Sequence, residues 1–410
     1  MTRVVIADDS AFMRKVLSDL FQKTSDFQVV GTARDGREAI KLVAKERPDL
    51  LTLDINMPVM DGLSALEVIM KDCPVPVLMF SSLTKKGADE TIRALELGAV
   101  DFLCKTGGSI SKIDAIEEDI IAKCRSVAGA KINNSKINKN IFAKKQEAGN
   151  LKRINIFEKK GYSVAHTQTA ASIKPKTAQE KLAASVQQHK QGLTGMMAKR
   201  ENPLLKKRPS PVYGGSSSGS SGTKLVALGT STGGPRALQQ VIPKLPGNMP
   251  CGMVVVQHMP AGFTKSLADR LNGMSQVTVK EAENGEPILP GHVYIAPGGY
   301  HLTVAGNASG REISLNQNPP LASHRPAVDV MFDSVVKYGG DIVSVILTGM
   351  GSDGAEGMKK IKKAGGYVIA ESDETCVVYG MPKSVVEAGI ADEILPVGQV
   401  ADAIMKRVRN

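Results

Sequence analysis

Three residues that can together cleave an acyl bond stand far apart in this 410-residue chain: Ser231, His258 and Asp353. Each follows an apolar, β-branched run, namely KLVALGT, MVVVQ and VSVILTGMGS. A serine hydroxyl alone is a poor nucleophile. A neutral imidazole can take its proton, and a buried carboxylate can fix the imidazole tautomer and stabilise the imidazolium. Glycines around Met350, in TGMGSDG, leave main-chain N–H groups able to face a developing oxyanion at a helix start. A plainer reading stays open: Ser231, Thr232 or Asp353 as a helix N-cap, and His258 as a strand-end histidine satisfied by local hydrogen bonds. GTSTG fits G-x-S-x-G, yet His166, His189, His258, His292, His301 and His324 all precede Asp353. A triad using that acid runs Ser, His, Asp, unlike the Ser, acid, His order of α/β-hydrolases. His324, in SHRPAVD, is a rival for the base, while His292 and His301 read as turn or surface residues. Neither GTSTGG nor GMGSDG carries the GK[ST] ending of a P-loop or the full dinucleotide spacing.

A second group of polar residues lies near the N-terminus. Asp8 and Asp9 follow RVVIA, Asp54 ends DLLTL, Ser81 ends VPVLMF and Lys105 ends VDFLC. Three carboxylates converging on one rim repel one another unless a hard cation neutralises them, and Mg²⁺ accepts such oxygens in octahedral geometry. Phosphoryl transfer needs that cation, a nucleophile and donors for the phosphoryl oxygens. An aspartate can be the nucleophile, forming an acyl phosphate. Helix and loop capping by Asp9, Ser10 and Asp54 is the alternative for any one of them.

Both groups need strand ends to hold them. Residues 1–125 alternate strand and helix five times, with a first helix striped by Phe12, Met13, Val16, Leu17, Leu20 and Phe21. A second helical stripe, Ala39, Ile40, Val43 and Ala44, ends before Pro48. After a Gly/Ser tract the alternation resumes, with HVYIAPGGYHLTV reading as a hairpin about Gly298–Gly299. The expected fold is α/β throughout: an N-terminal (βα)5 flavodoxin-like domain and a C-terminal doubly wound, mostly parallel sheet with an antiparallel excursion.

The net charge of +11 would suit a nucleic-acid binder. Its location argues otherwise. Residues 129–222 hold 18 Lys and Arg against four acids, and the remainder carries 34 basic and 37 acidic residues. The basic stretch ends in GGSSSGSSG and reads as a flexible linker. Cys73, Cys104, Cys124, Cys251 and Cys376 show no CxxC spacing, which favours reduced thiols over a disulfide framework or zinc site. No secretory signal or membrane-spanning run is visible, so the expectation is a soluble, cytoplasmic protein that is not membrane-embedded.

Residues 3–122, through IADDSAFMR, LDINMPVMDGL, MFSSL and ALELGAVDFLCK, resemble the response-regulator receiver family. Residues 223–410, through GTSTGGPRAL, VVVQHMP, IAPGGYHL, SHRPAVDVMFDSV, LTGMGSDGAEGM and VYGMPKSV, resemble the catalytic domain of the chemotaxis protein-glutamate methylesterase family, CheB. The resemblance implies a receiver at 1–122, a long basic linker at 123–222 and a methylesterase domain at 223–410. It makes Ser231 the nucleophile, His258 the base, Asp353 the orienting acid and Met350 a main-chain oxyanion donor, with Thr232 beside the nucleophile. In the receiver it makes Asp54 the phosphoacceptor, and Asp8, Asp9, Asp54 and the Asn56 main chain the Mg²⁺ ligands. Ser81, Phe102 and Lys105 become the switch hydroxyl, the switch aromatic and the phosphate-binding lysine. Ester hydrolysis would need no cofactor. Implied partners are methyl-accepting chemotaxis receptors, as ester and glutamine substrates, and a histidine kinase as phosphodonor. Two departures are Asn56, where relatives often have Glu, and Thr106 after Lys105 in place of Pro.

Overall fold

Valine, isoleucine and leucine fill strands covered on both faces, the composition of buried parallel sheets. The computed structural model describes residues 1–105, 113–131, 224–307 and 310–409. Strands β1 (Thr2–Ala7), β2 (Phe27–Ala33), β3 (Leu50–Asp54), β4 (Val77–Ser82) and β5 (Asp101–Lys105) form a parallel sheet in the order β2-β1-β3-β4-β5. Between and after them run α1 (Ala11–Gln22), α2 (Gly36–Glu46), α3 (Gly62–Asp72), α4 (Lys85–Leu97) and α5 (Ile113–Ala128). Side-chain oxygens of Ser10, Asp35, Asp61 and Thr84 accept first-turn N–H groups of α1 to α4, which is why those helices begin there. The α1 stripe is narrower than expected. Leu17, Leu20 and Phe21 are buried, whereas Phe12 is 74% exposed, because the first turn of α1 lies beyond the end of β1 and has no sheet beneath it.

The second sheet has seven strands in the order β14-β13-β12-β6-β7-β9-β8, all paired parallel. They are β6 (Leu225–Thr230), β7 (Gly252–Gln257), β8 (Thr278–Glu281), β9 (His292–Ile295), β12 (Ile342–Ile346), β13 (Tyr367–Glu371) and β14 (Glu393–Leu395). Helices α6 (Gly234–Val241), α7 (Phe263–Asn272), α8 (Val328–Val335), α9 (Ala355–Lys363), α10 (Met381–Glu387) and α11 (Val397–Arg409) cover it. Alternation along β6 divides its packing between two cores. Val226 and Leu228 join Leu238, Leu267 and Ile404, while Leu225 and Ala227 join Val328, Phe332 and Met358.

The hairpin expected at HVYIAPGGYHLTV does not form. β9 lies between β7 and β8, so both of its hydrogen-bonding edges are taken. The second arm, β10 (His301–Asn307), pairs antiparallel with β11 (Gly310–Asn316) in a separate ribbon. Helix α5 continues to Ala128, past the boundary drawn at residue 122. From residue 132 to 222 the expected linker lies outside the described residues, as does Thr106. No described helix is long and apolar enough to cross a membrane.

Candidate active site

β6 is the middle of three adjacent strands, with β12 on one side and β7 on the other. The chain passes from β6 to β7 in one direction and fills β12 much later in the other, so the crevice at their carboxyl ends is a topological switch point. Ser231, His258 and Asp353 all emerge there. His258 Nδ1 lies 3.2 Å from Ser231 Oγ, and His258 Nε2 lies 2.7 Å from Asp353 Oδ2. A carboxylate only accepts, so the ring proton sits on Nε2 and the Nδ1 lone pair faces the hydroxyl. The two nitrogens thus exchange the places they hold in the familiar serine-protease arrangement. Both the imidazole and the carboxylate are withdrawn from solvent, with side chains 6% and 8% exposed.

The carboxylate is fixed by the start of α8. Val328 N–H donates to Asp353 Oδ2 at 2.7 Å and Asp329 N–H to Oδ1 at 2.8 Å. Orphan N–H groups at a helix N-terminus suit an anion. Burial penalises the Asp353 charge, but the His258 bond and these N–H groups outweigh it and hold its pKa below the usual carboxylate range.

Several supporting residues carried no sequence signal of their own. The buried Gln257 amide donates to Ser231 O at 3.0 Å and His258 O at 3.1 Å, tying the expected nucleophile and base together. Only a polar residue ending an apolar strand, in VVVQH, hinted at it. Thr348 O accepts the Ser231 N–H at 3.0 Å, and Thr348 Oγ1 donates to Thr232 O at 2.9 Å. Glu371, fully buried at the end of β13, accepts the Thr348 N–H at 2.8 Å, and burial pushes its pKa up. A Cβ on Gly349 would lie 2.2 Å from Met381 Sδ and 2.9 Å from Ser231 Cβ, so glycine is what lets this turn pack so closely against the serine.

Among the histidines, His301 corrects the surface reading. It is buried, its Nδ1 accepts the Ala327 N–H at 3.2 Å, and its Nε2 meets Pro319 O at 3.2 Å, which ties down the segment leading into α8. His292 Nδ1 meets Pro290 O in a local turn at 2.9 Å. His324 does not hydrogen-bond Ser231 but stacks on His258, with ring centroids 3.9 Å apart.

In the first sheet the acidic rim assembles as expected. Carboxylate oxygens of Asp8, Asp9 and Asp54 lie within 4.8 Å of one another. Lys105 Nζ reaches Asp8 at 2.8 Å and Asp54 at 2.9 Å. Burial raises the Asp54 pKa, with the charges of Asp8 and Asp9 adding to it and Lys105 opposing. Burial works against the Lys105 ammonium, yet its carboxylate partners prevail and raise its pKa. Such crowded hard oxygens fit a divalent cation well. Ser81 is fully buried, its Oγ bonded to Gly87 O at 3.1 Å and Thr91 Oγ1 at 2.7 Å. Asn56 is exposed.

The two sheets fall within one compact unit and touch beside Ser231. Thr232 Oγ1 donates to Asp101 Oδ2 at 2.6 Å, and Lys123 Nζ lies 3.2 Å from the same oxygen. Phe102 stacks on Phe263 with ring centroids 4.8 Å apart, and Glu96 pairs with Arg270. Phe102 is thereby buried.

Residues 226–404 match the CheB methylesterase family, and residues 4–117 match the response regulator receiver domain. The chain is 44% identical over 409 residues to a protein-glutamate methylesterase/protein-glutamine glutaminase of Symbiobacterium thermophilum, covering 99% of this chain and 97% of that one. A relative of the same name from Bacillus licheniformis is 41% identical, covering 100% of this chain and 99% of that one. The crystal structure of the Thermotoga maritima CheB methylesterase catalytic domain is 51% identical, covering 45% of this chain and 97% of that one, with a TM-score of 0.44. With full-length identity at this level and both domain matches in place, the chain belongs to the protein-glutamate methylesterase/protein-glutamine glutaminase (CheB) family.

Proposed function

We propose that this protein is a phosphorylation-activated serine hydrolase that removes methyl groups from glutamate γ-esters of methyl-accepting chemoreceptors and deamidates selected glutamines. The observation that carries the catalytic half is the unbroken chain of contacts from Ser231 Oγ through His258 to Asp353. Ser231 attacks the γ-carbonyl while His258 Nδ1 takes the hydroxyl proton and Asp353 stabilises the imidazolium. The Met350 N–H meets the developing oxyanion. His258 then returns the proton to the departing methanol, or to ammonia in deamidation, and activates the water that cleaves the acyl-enzyme. No cofactor enters these steps.

The regulatory half rests on the acidic rim. Asp54 is the acceptor of a phosphoryl group from a histidine kinase, and Asp8, Asp9, Asp54 and the Asn56 main chain would hold Mg²⁺. Bound there, the cation neutralises the crowded carboxylates and the incoming phosphate. Lys105 and Ser81 would take the phosphoryl oxygens, and Phe102 would report the change by leaving or keeping its place on Phe263. Unphosphorylated, the receiver covers the cleft through contacts such as Asp101 with Thr232. Phosphate activates by favouring an arrangement without them. Such a protein works in the cytoplasm, at receptors whose modified segments lie there.

Methanol release from methylated receptor, with and without a small phosphodonor, tests both halves. Ser231→Ala should abolish turnover, and residual release near the wild-type rate would overturn the catalytic assignment. A DNA-binding output is the less favoured reading, since the second domain is built on a seven-stranded parallel sheet whose carboxyl ends carry Ser231, His258 and Asp353 in mutual contact.

A further inference from the structure

Ser231 and Asp353 hold His258 by its ring edge, and edge contacts leave the ring free to rock about the line joining them. The face is covered instead by His324, whose ring lies 3.9 Å away, centroid to centroid, at an interplanar angle of 21°. The turn that carries His324 is built at some cost. Leu321 and His324 exchange N–H···O bonds of 3.1 and 2.9 Å, and the two residues between them, Ala322 and Ser323, take φ of 47° and 67°. That left-handed conformation is disfavoured for residues bearing a Cβ, and such strain gathers at functional sites. Ser231 Oγ and Asp353 Oδ2 bond His258 and not His324, which stands outside the proton path.

We propose that His324 is a positioning residue for the base: an aromatic plane that fixes the His258 ring and must stay uncharged for turnover. The proposal rests on the assignment of His258 as the base. During turnover His258 becomes an imidazolium. A neutral ring offers it a π face, whereas a cation at stacking distance would oppose it strongly in a site shielded from water. The other charged groups acting on His324 are Asp353, which favours a proton there, and Lys123, which disfavours one. Burial first, then the His258 charge, holds the His324 imidazole below its ordinary range, so the ring meets the requirement near neutral pH.

Three substitutions separate shape from charge, measured as methanol release by the full-length protein with phosphodonor present, and with thermal unfolding recorded for each. His324→Ala removes the plane, and kcat should fall about tenfold while KM stays within about twofold. His324→Phe keeps the plane without a titratable nitrogen, and should restore kcat to within about threefold of wild type. His324→Lys supplies the forbidden charge. Its kcat should fall at least about a hundredfold and climb again as alkaline pH strips the proton from a buried ammonium, where the wild-type rate is flat. Equal rates for the Phe and Lys variants, or a Phe variant as slow as Ala, would overturn the proposal. A His258→Ala control keeps the two assignments apart. Turnover surviving in that control removes the base itself, whereas loss there beside wild-type rates in every His324 variant removes only the positioning role.

Discussion

Asp353→Asn is the sharpest probe of the proton arrangement, because three donors converge on that carboxylate. Oδ2 accepts from His258 Nε2 and Val328 N–H, both at 2.7 Å, and Oδ1 accepts from Asp329 N–H at 2.8 Å. An amide offers a single acceptor oxygen. Placed at the Oδ2 position, it keeps the His258 bond but turns its NH₂ against the Asp329 N–H. Placed at the Oδ1 position, it turns its NH₂ toward His258 Nε2, which must then accept, and the ring proton moves to Nδ1 against the Ser231 hydroxyl. In the first arrangement the imidazolium loses its counter-charge; in the second the base itself is lost. Leaving one buried N–H unsatisfied costs about 1–3 kcal/mol of stability. The same exchange in a Ser-His-Asp hydrolase lowers kcat by about 10⁴, or roughly 5 kcal/mol of transition-state stabilisation. The assay is methanol release with phosphodonor present, so that receiver closure does not limit the rate, on protein shown by thermal unfolding to be folded. We expect kcat to drop by about 10³ to 10⁴ with KM little changed. A folded Asp353→Asn protein within tenfold of wild-type kcat would refute the triad as drawn.

Replacing Gln257 by Leu removes both donors that tie the Ser231 and His258 carbonyls together, and should lower kcat about ten- to a hundredfold with KM nearly unchanged, by the same assay. An unchanged kcat would show that the backbone alone holds the two loops. Asp101→Ala deletes a buried, charge-assisted bond to Thr232 worth about 1.5–3 kcal/mol, so basal activity without phosphodonor should rise about tenfold, while Asp54→Asn should lose stimulation instead. Stimulation of Asp54→Asn equal to wild type would refute the phosphoacceptor assignment. For stability, the depressed pKa of Asp353 gives a contribution fully present above its unfolded value of about 4 and lost as pH falls through the lower folded value. Asp54, raised by burial, has the opposite sign: its benefit exists below the unfolded value and is lost as pH rises through the folded one. Asp54→Asn should therefore raise the melting temperature at pH 7, and the gain should vanish below about pH 4, the unfolded carboxylate value. A melting difference that does not change with pH would contradict that sign.

Much of this protein is legible along the chain because strands, helix caps and glycine turns obey local rules. Apolar β-branched runs located β1, β3, β4, β6, β7 and β12, and the polar residues just past them located Asp8, Asp54, Ser231, His258 and Asp353. Local pattern failed where pairing partners were distant. β9 and β10 read as a hairpin because each alternates, yet the edges of β9 had already been taken by β7 and β8. Phe12 fell on an apolar stripe but not on any sheet. Residue types determined which chemistry was available, since a hydroxyl can give its proton to an imidazole and a carboxylate can stabilise the imidazolium that results. Tertiary structure decided the rest. The register of β12 against β6, Ile342 beside Leu225, brings Asp353 within reach of His258, and the start of α8 points its N–H groups at that acid. Packing likewise settled which imidazole nitrogen faces Ser231, tied Gln257 to the Ser231 and His258 carbonyls and laid His324 on His258. Contacts of this kind join segments far apart in the chain, and their energies depend on distance and orientation in space, which no local run of residues encodes.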